Sequence, residues 1–537
     1  CGIGIGAARI PNGLIAEVNI TLPLAAGRLA KVKALVKKLS AVETLGATNF
    51  ILTDKTGTLT KNEMTVEKLL IGRKHYKVTG KGYEATGEIQ TDKGAKLSDQ
   101  TLKDLDLFFM TASLASNAKV DPPDQEHADW YVVGDPTEGA LITLARKAGI
   151  DTEKLDEEIP ELKEFQFDSA RKLLSSVRTR NGQTVVFVKG APENLLNLST
   201  EIWDHGHIRK LTSTDRKFFA EYDAKNAKSA MRNLAFGYRI LPKQTKSKKF
   251  VMEEVEQDFI FLGMVSMIDP LREEVPLAMK NARAAHVKVS IITGDSPITA
   301  RAIAVKANLA QEITIVKGEE LAGLADAQIL QLVRRGGAVF SRVAPEDKLR
   351  IVDIVKRSGN VVAVTGDGIN DAPALKSADI GVAMGRTGTA VAKDAADIVL
   401  LDDSFGTLVE AIKEGRLTFR NIRKAARCAL TCNAGELSVV LISLSAAALF
   451  HVAPALPAIQ ILAIDIVAQI LPITALGWDK AQHDLMREKP RDLHDHIINR
   501  KAVTGFIGFG LLAALLAYGN YLFFFFRHNL SPEYLDF

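Results

Sequence analysis

Short apolar runs ending in loops rich in glycine and aspartate set the pattern of the middle of this chain, and long apolar stretches set that of its ends. Phe50-Ile51-Leu52 runs into Asp54, Val287 to Ile292 into Thr293-Gly294-Asp295, and Val361 to Val364 into Thr365-Gly366-Asp367-Gly368-Ile369-Asn370-Asp371. With Phe261 to Val265 and Ala338-Val339-Phe340, the runs from about 262 onward alternate with helical patterns. That βαβ rhythm predicts an α/β fold with a doubly wound parallel sheet, which the Asp54 strand joins from far away in sequence. Residues 31–62 and 261–415 then form one domain, and residues 63–260 are inserted in it as an α+β domain, with strand pairs between Met64 and Tyr83 and helices later. At the ends, residues from about 430 to 450, 452 to 477 and 502 to 526 are each long enough to span a bilayer core. Residues 1–30 form a fourth candidate, interrupted by Arg9, Glu17 and Arg28.

Charge changes this picture by orienting it. The net charge of +4 predicts no nucleic-acid partner, but the basic residues cluster beside the apolar stretches. Arg28, Lys31, Lys33, Lys37 and Lys38 follow the first. Arg416, Arg420, Arg423, Lys424 and Arg427 precede the second, and Arg487, Lys489, Arg491, Arg500 and Lys501 separate the third from the fourth. The positive-inside rule puts all of them, and the large middle region, in the cytoplasm of a multi-pass integral membrane protein. Three cysteines exclude a disulfide framework and fit a reducing compartment.

Two acidic loops at the carboxyl ends of buried strands suit a metal and a phosphoryl group. Asp54 reads as a nucleophile toward the γ-phosphorus of ATP, forming an acyl phosphate. Attacker and target are both anionic, so the site needs positive charge and fixed donors. Asp367 and Asp54 can hold Mg²⁺ with the backbone carbonyl of Thr56, and Asn370 and Asp371 can position phosphate and metal-bound water. Lys348 can neutralise the transferring group, while Thr293, Gly294 and Asp295 supply hydroxyl and amide donors. Gly57, Gly294 and Gly366 let backbone approach phosphate with no Cβ in the way.

Asp54-Lys55-Thr56-Gly57-Thr58-Leu59-Thr60, Thr293-Gly-Asp and Thr365-Gly-Asp-Gly-Ile-Asn-Asp, in this order, resemble the P-type cation-transporting ATPases, whose phosphorylation domain has a haloacid-dehalogenase-like core. Val42-Glu43-Thr44-Leu45-Gly46 and Lys61-Asn62-Glu63-Met64-Thr65-Val66 resemble the type II branch of calcium, sodium/potassium and proton/potassium pumps. The resemblance implies ATP and Mg²⁺ as cofactors, a catalytic role for Lys55, and a nucleotide-binding inserted domain. Lys189-Gly190-Ala191-Pro192-Glu193 is similar to the motif whose lysine lies by the adenine, and Phe167 matches the stacking aromatic. Arg232 matches a phosphate-reaching arginine, Glu138 belongs to another nucleotide-domain signature (Gly134 to Glu138), and Arg342 joins this set. Taken alone, Phe167 reads more often as core, Lys189 as a solvated edge charge and Arg232 as a helix-surface residue. Asp269 and Arg272 read as organisers of a hinge.

Ionisable residues in a span mark an ion path. Asn433 and Glu436 share one helix face, as do Asp465 and Gln469, with Pro472 able to loosen the helix; Pro11-Asn12-Gly13 breaks the first span. These positions align with the family's cation ligands in its fourth to sixth helices, so that residues 416–537 carry the fifth to seventh. Asn12 and Gln469 stand where carboxylates are common, and Ala468 removes a hydroxyl. The loss of acid favours a monovalent ion, a proton or one divalent ion over two calcium ions. Thr86-Gly87-Glu88 imitates the actuator loop but falls within the inserted domain. The actuator is therefore expected before residue 1 and further helices after residue 537, making the remainder of a pump a partner. The alternatives are a membrane-tethered dehalogenase-type phosphatase and a non-pumping nucleotide-binding homologue. Thr56 argues against the phosphatase, since it stands where such enzymes carry a second aspartate.

Overall fold

In the computed structural model the described residues are 12–124, 127, 129–204, 206–242, 250–450, 458–492 and 500–527. Arg9 and Pro11 lie outside them, as do the side chains of Asn12, Glu17 and Asp465. The chain divides into two compact units, one of residues Cys1–Thr58, Glu274–Ile292 and Asn308–Phe537, the other of Leu59–Glu273 and Thr293–Ala307.

The first unit is built on an eight-stranded sheet in the order Ala34–Val36, Ile398–Leu400, Ile380–Met384, Val362–Gly366, Phe50–Thr53, Lys288–Thr293, Ala338–Ser341, Thr314–Lys317. Phe50–Thr53 pairs in parallel with both neighbours, Thr53 lying opposite Thr365. Its four residues are all buried, as expected of a strand covered on both faces. The helix Pro345–Arg357 buries Lys348, Ile351, Val352 and Val355, the i, i+3, i+4, i+7 face that packs on the sheet. Lys348 is thus carried inward by the same stripe that buries the apolar residues.

The same unit contains the helix Phe405–Phe450, apolar over its second half, and the helix Arg500–Arg527; both are long and apolar enough to cross a membrane. They approach closely at Gly435 and Gly510, where a Cβ on Gly510 would come 2.8 Å from the Gly435 nitrogen. Small residues permit such helix contact. The helix Asn12–Lys31 is tied to the long helix by Arg28, whose Nε donates to Glu414 at 3.0 Å. The segment Ala458–Leu476 is interrupted by a π-helical turn at Ile464–Gln469, just before Pro472. Such turns widen a helix and free its carbonyls.

The second unit holds an antiparallel sheet ordered Ile89–Thr91, Lys74–Val78, Thr65–Ile71, Phe259–Ile268, Arg232–Ile240, Gln183–Gly190, Leu173–Arg180, Glu161–Asp168. Here one expectation is corrected. Phe261 to Val265 belongs to this sheet, pairing with Arg232–Ile240 and Thr65–Ile71, and not to the parallel one. Helices cover both faces: Leu262 and Val265 pack in a cluster with Phe108 and Leu141, while Phe261 and Met264 pack with Leu195 and Phe219. A strand buried on both sides reads as one continuous apolar run in either kind of sheet.

Candidate functional site

The parallel register that sets Thr53 opposite Thr365 brings two loops to the same edge of the first unit's sheet. The Asp54 amide donates to the Thr365 carbonyl at 3.3 Å, and the Thr365 hydroxyl donates to that of Thr53 at 2.8 Å, so the ladder runs to its last residue. Asp54 accepts from its neighbour's amide, Lys55 N, at 2.5 Å on Oδ1. On Oδ2 it accepts from the Lys348 ammonium at 2.8 Å. Lys348 also donates to Asp371 Oδ1, while Asp371 Oδ2 accepts from the amides of Asp367 and Gly368, both at 3.1 Å. The glycine at 57 is required: at φ +70°, a Cβ there would sit 2.0 Å from Asp367 Oδ2. Asp367 therefore lies against the Asp54 loop.

Electrostatics follow from this crowding. Burial pulls the Lys348 ammonium down, but Asp54 and Asp371 outweigh it and hold the pKa above its ordinary value. Burial raises Asp54, with Asp371 adding to the rise against the pull of Lys348. Asp367 is pushed up to about 7 by burial and by the charges of Asp54 and Asp371. Three carboxylates face one ammonium, and what the donor set lacks is a further cation. Among the described residues no three acidic, histidine or cysteine side chains close on a point as a complete cage. Magnesium rarely uses one; it takes one or two carboxylates and completes its shell with phosphate and water. Asp54, Asp367 and the Thr56 carbonyl fit that demand. Asn370 is exposed in the turn Ile369–Asp371, and Lys55 is buried.

Thr293 closes the strand Lys288–Thr293, and its hydroxyl accepts from the Asp295 amide at 3.2 Å, with Gly294 between them. Arg342 is exposed, at φ +52° after the strand Ala338–Ser341.

In the second unit Lys189 leaves the buried end of Gln183–Gly190 and is itself buried, which excludes the solvated edge charge. Its ammonium donates to Glu138 Oε1 at 2.6 Å and Ser116 Oγ at 3.1 Å. Glu138 Oε2 accepts from the amides of Asn117 and Ala118. Burial lowers the Lys189 pKa, and Glu138 only partly opposes it. Phe167 is 57% exposed on Glu161–Asp168, so it is not core. Arg232 donates to Thr137 at 3.0 Å from the first residue of its strand, not from a helix surface. Gly190 packs on Lys172 and Leu173, where a Cβ would clash. Asp269 accepts from Thr60 at 2.5 Å and Arg272 donates to the Thr60 carbonyl, tying Thr60 to the segment that follows the strand Phe259–Ile268. Sequence reasoning missed Ser116, Asn117 and Glu164, the last accepting from the Asn117 amide group at 2.9 Å; no motif marks them.

Asn433 and Glu436 on the helix Phe405–Phe450 and Gln469 at the end of the π-helical turn are buried, and Gln469 Nε2 donates to Glu436 Oε1 at 2.6 Å. The π-helical turn that contains Asp465 ends at Gln469.

Carboxylates and a buried lysine at the carboxyl edge of a parallel-stranded sheet, in a chain with helices long and apolar enough to cross a membrane, are what a membrane-attached protein of the phosphoryl-transfer class would need. Comparison with known proteins narrows it. A family model described as P-type ATPase, cytoplasmic domain N, matches residues 104–274, and one described as cation transporting ATPase, C-terminus, matches residues 453–535. The calcium-transporting ATPase of Bacillus subtilis is 39% identical over 99% of this chain and 58% of its own length. The cation-transporting ATPase pma1 of Synechocystis is 35% identical over 97% and 57%, and the human sodium/potassium-transporting ATPase subunit alpha-4 34% over 99% and 54%. The chain belongs to the P-type ATPase family. It spans between half and three-fifths of the length of these relatives.

Proposed function

We propose that this chain carries the ATP-hydrolysing and ion-binding portion of a cation pump that works through an aspartyl phosphate on Asp54. The carrying observation is the Lys348 bridge: one ammonium holds Asp54 Oδ2 and Asp371 while Gly57 lets Asp367 lie alongside. The Asp54 carboxylate attacks the γ-phosphorus, the bond to the bridging oxygen breaks, and ADP leaves with that electron pair. Lys348 fixes the attacking oxygen and neutralises charge as the two anions meet. Asp54, Asp367 and the Thr56 carbonyl would hold Mg²⁺, which when bound screens the phosphate oxygens. Asp371 has both oxygens occupied by Lys348 and the loop amides, which favours positioning over direct ligation. Thr293, Gly294, Asp295, Lys55 and Asn370 are assigned to the phosphate side, and Arg342 to the nucleotide. Lys189, Gly190, Glu138, Phe167 and Arg232 are assigned to ATP, with adenine on the exposed ring of Phe167.

For the transported ion we infer a site of Glu436, Asn433, Gln469, Asp465 and Asn12, taking one cation. Its amides replace acids, and the Gln469–Glu436 bond supports a site of low charge. Calcium is the first ion to test, because the Bacillus subtilis relative is named for it. The reading is tested by labelling the intact protein with γ-labelled ATP and Mg²⁺. A hydroxylamine-sensitive label, absent in Asp54→Asn and stimulated by one cation, is the expected result. A label that persists in Asp54→Asn rejects the nucleophile.

A further inference from the structure

The cations at the base of the long helix do more than the orienting role their sequence position suggests. Arg416, Arg420, Arg423 and Arg427 recur at i, i+4, i+7 and i+11, which places them along one stripe of the helix Phe405–Phe450. Together with Lys424 and, from the segment after Leu485, Lys489 and Arg491, they line a cavity of about 450 Å³. Phe419 and Leu485 give it an apolar wall, and Glu488 is its only lining carboxylate among the described residues.

Charges that merely orient a membrane protein stay solvated and enclose nothing. Here the enclosure is built. Arg416 is 8% exposed and donates to the carbonyls of Leu485 and Glu488, each at 2.9 Å, and to that of Ala285 at 2.9 Å. Asn421 donates to the carbonyls of Gly477 and Asp479, which fastens the other end of the same segment. The Arg491 guanidinium lies 3.7 Å over the Phe419 ring and donates to Glu43 at 3.1 Å. Lys424 pairs with Asp479, and Arg420 lies 3.9 Å from Glu488. Arg427 and Lys489 face no carboxylate at ion-pair distance among the described residues, and both are exposed. Positive charge therefore exceeds negative around a fixed, half-apolar hollow. The apolar stretch of the helix follows directly after Arg427, which sets the hollow at the level of a bilayer surface.

We infer that this cavity binds a phosphate group at the membrane surface, the natural bearer of which is an anionic phospholipid headgroup. Clusters of Lys and Arg at the cytoplasmic end of a transmembrane helix attract such headgroups, and each nearby cation strengthens the attraction. Neither the phosphoryl-transfer reading of Asp54 nor the ion site is needed for this inference.

The test uses the full chain in nanodiscs of phosphatidylcholine with phosphatidylglycerol added, counting lipid retained by native mass spectrometry after transfer to neutral detergent. Arg427→Gln with Lys489→Gln removes two lining cations and leaves Arg416, which holds the segment, untouched. Arg487→Gln with Lys480→Gln removes equal charge from exposed positions outside the cavity. The lining pair is expected to retain about tenfold less phosphatidylglycerol, the outer pair within about twofold of the parent. Thermal unfolding midpoints equal to the parent's show that both pairs fold. Equal losses in the two pairs, or none in the lining pair, overturn the inference. A second arm adds pyrophosphate to the chain in discs of phosphatidylcholine alone and follows hydrogen exchange over residues 416–427. No protection assigns the phosphate to lipid; protection lost in the lining pair assigns it to a free anion in the same cavity.

Discussion

Two buried lysines, Lys348 in the first unit and Lys189 in the second, have opposite electrostatic fates. Lys348 faces two carboxylates, Asp54 and Asp371, and its pKa is held above the ordinary range in spite of burial. Lys189 is hydrogen-bonded to one carboxylate and a hydroxyl, with Asp135 and Glu164 acting on it from further off, and burial still wins, holding its pKa below the ordinary range. The first is over-compensated by acid, so its surroundings call for another cation. The second is under-compensated, so its surroundings call for an electron-rich ligand. A metal-phosphate site and a nucleotide site are what these two deficits respectively suit.

The comparison breaks hardest at Lys348. Lys348→Met leaves Asp54 and Asp371 buried without their cation, and removing one partner of such a group costs about 3–5 kcal/mol. Phosphoenzyme formation is expected to vanish and the thermal midpoint of the first unit to fall, both read on the same preparation. Added Mg²⁺ should recover part of the midpoint and none of the labelling. Full labelling in this variant would remove Lys348 from the proposed chemistry. Gly57→Ala is the subtler version: φ +70° and a Cβ 2.0 Å from Asp367 Oδ2 force the acid away. A left-handed non-glycine residue costs of order 1–3 kcal/mol. A loss of Mg²⁺-dependent labelling larger than the loss in stability is expected, measured as the Mg²⁺ concentration for half-maximal label.

At the other lysine, Phe167→Ala and Lys189→Met separate binding from folding. Phe167 is largely exposed, so its removal should leave the unfolding midpoint unchanged. Loss of base stacking is worth about 1–3 kcal/mol, or roughly a factor of 5 to 150 in nucleotide Kd. Lys189→Met should weaken nucleotide binding and also shift stability, because Glu138 loses its ammonium partner while keeping the two amides. Calorimetric titration with ATP analogues checks both, and unchanged affinity in the pair would reassign the site.

How much of this was readable beforehand differs between the same two regions. The Asp54 and Asp367 loops were legible because an apolar run closing in Asp, Thr and Gly is a local signal. Lys348 was legible as a cation for the transferring group, but not the bridge it makes between Asp54 and Asp371, since those partners lie on other elements. The strand Phe259–Ile268 was misassigned because helices on both faces erase the alternation that marks an antiparallel strand. Ser116, Asn117 and Glu164 were invisible: the first two meet the Lys189–Glu138 pair across the fold, the third holds Asn117, and none belongs to a short pattern. The π-helical turn at Ile464–Gln469 was equally hidden, although Pro472 marked the helix as loosened. The basic residues were legible as an orientation signal, but not the enclosure they form, which depends on the Leu485–Arg491 segment being clamped by Arg416.

The smallest expected effect is a pH dependence, and its sign follows from Lys189. A lysine whose folded pKa is depressed binds its proton less tightly in the folded state than in the unfolded one. Below the depressed value both states are protonated and the folded state carries the whole cost of the buried charge. Between that value and the unfolded value near 10.4, the unfolded state holds more protons, so stability rises with pH across the interval. Lys189→Met has no such proton to lose. The stability difference between parent and variant should therefore move in the parent's favour as pH is raised from about 8 to about 10, by no more than about 1 kcal/mol. Denaturant unfolding of both proteins at a series of alkaline pH values measures it. A difference that stays flat, or moves toward the variant, means that Glu138 and Ser116 compensate Lys189 fully, and the contrast between the two lysines then disappears.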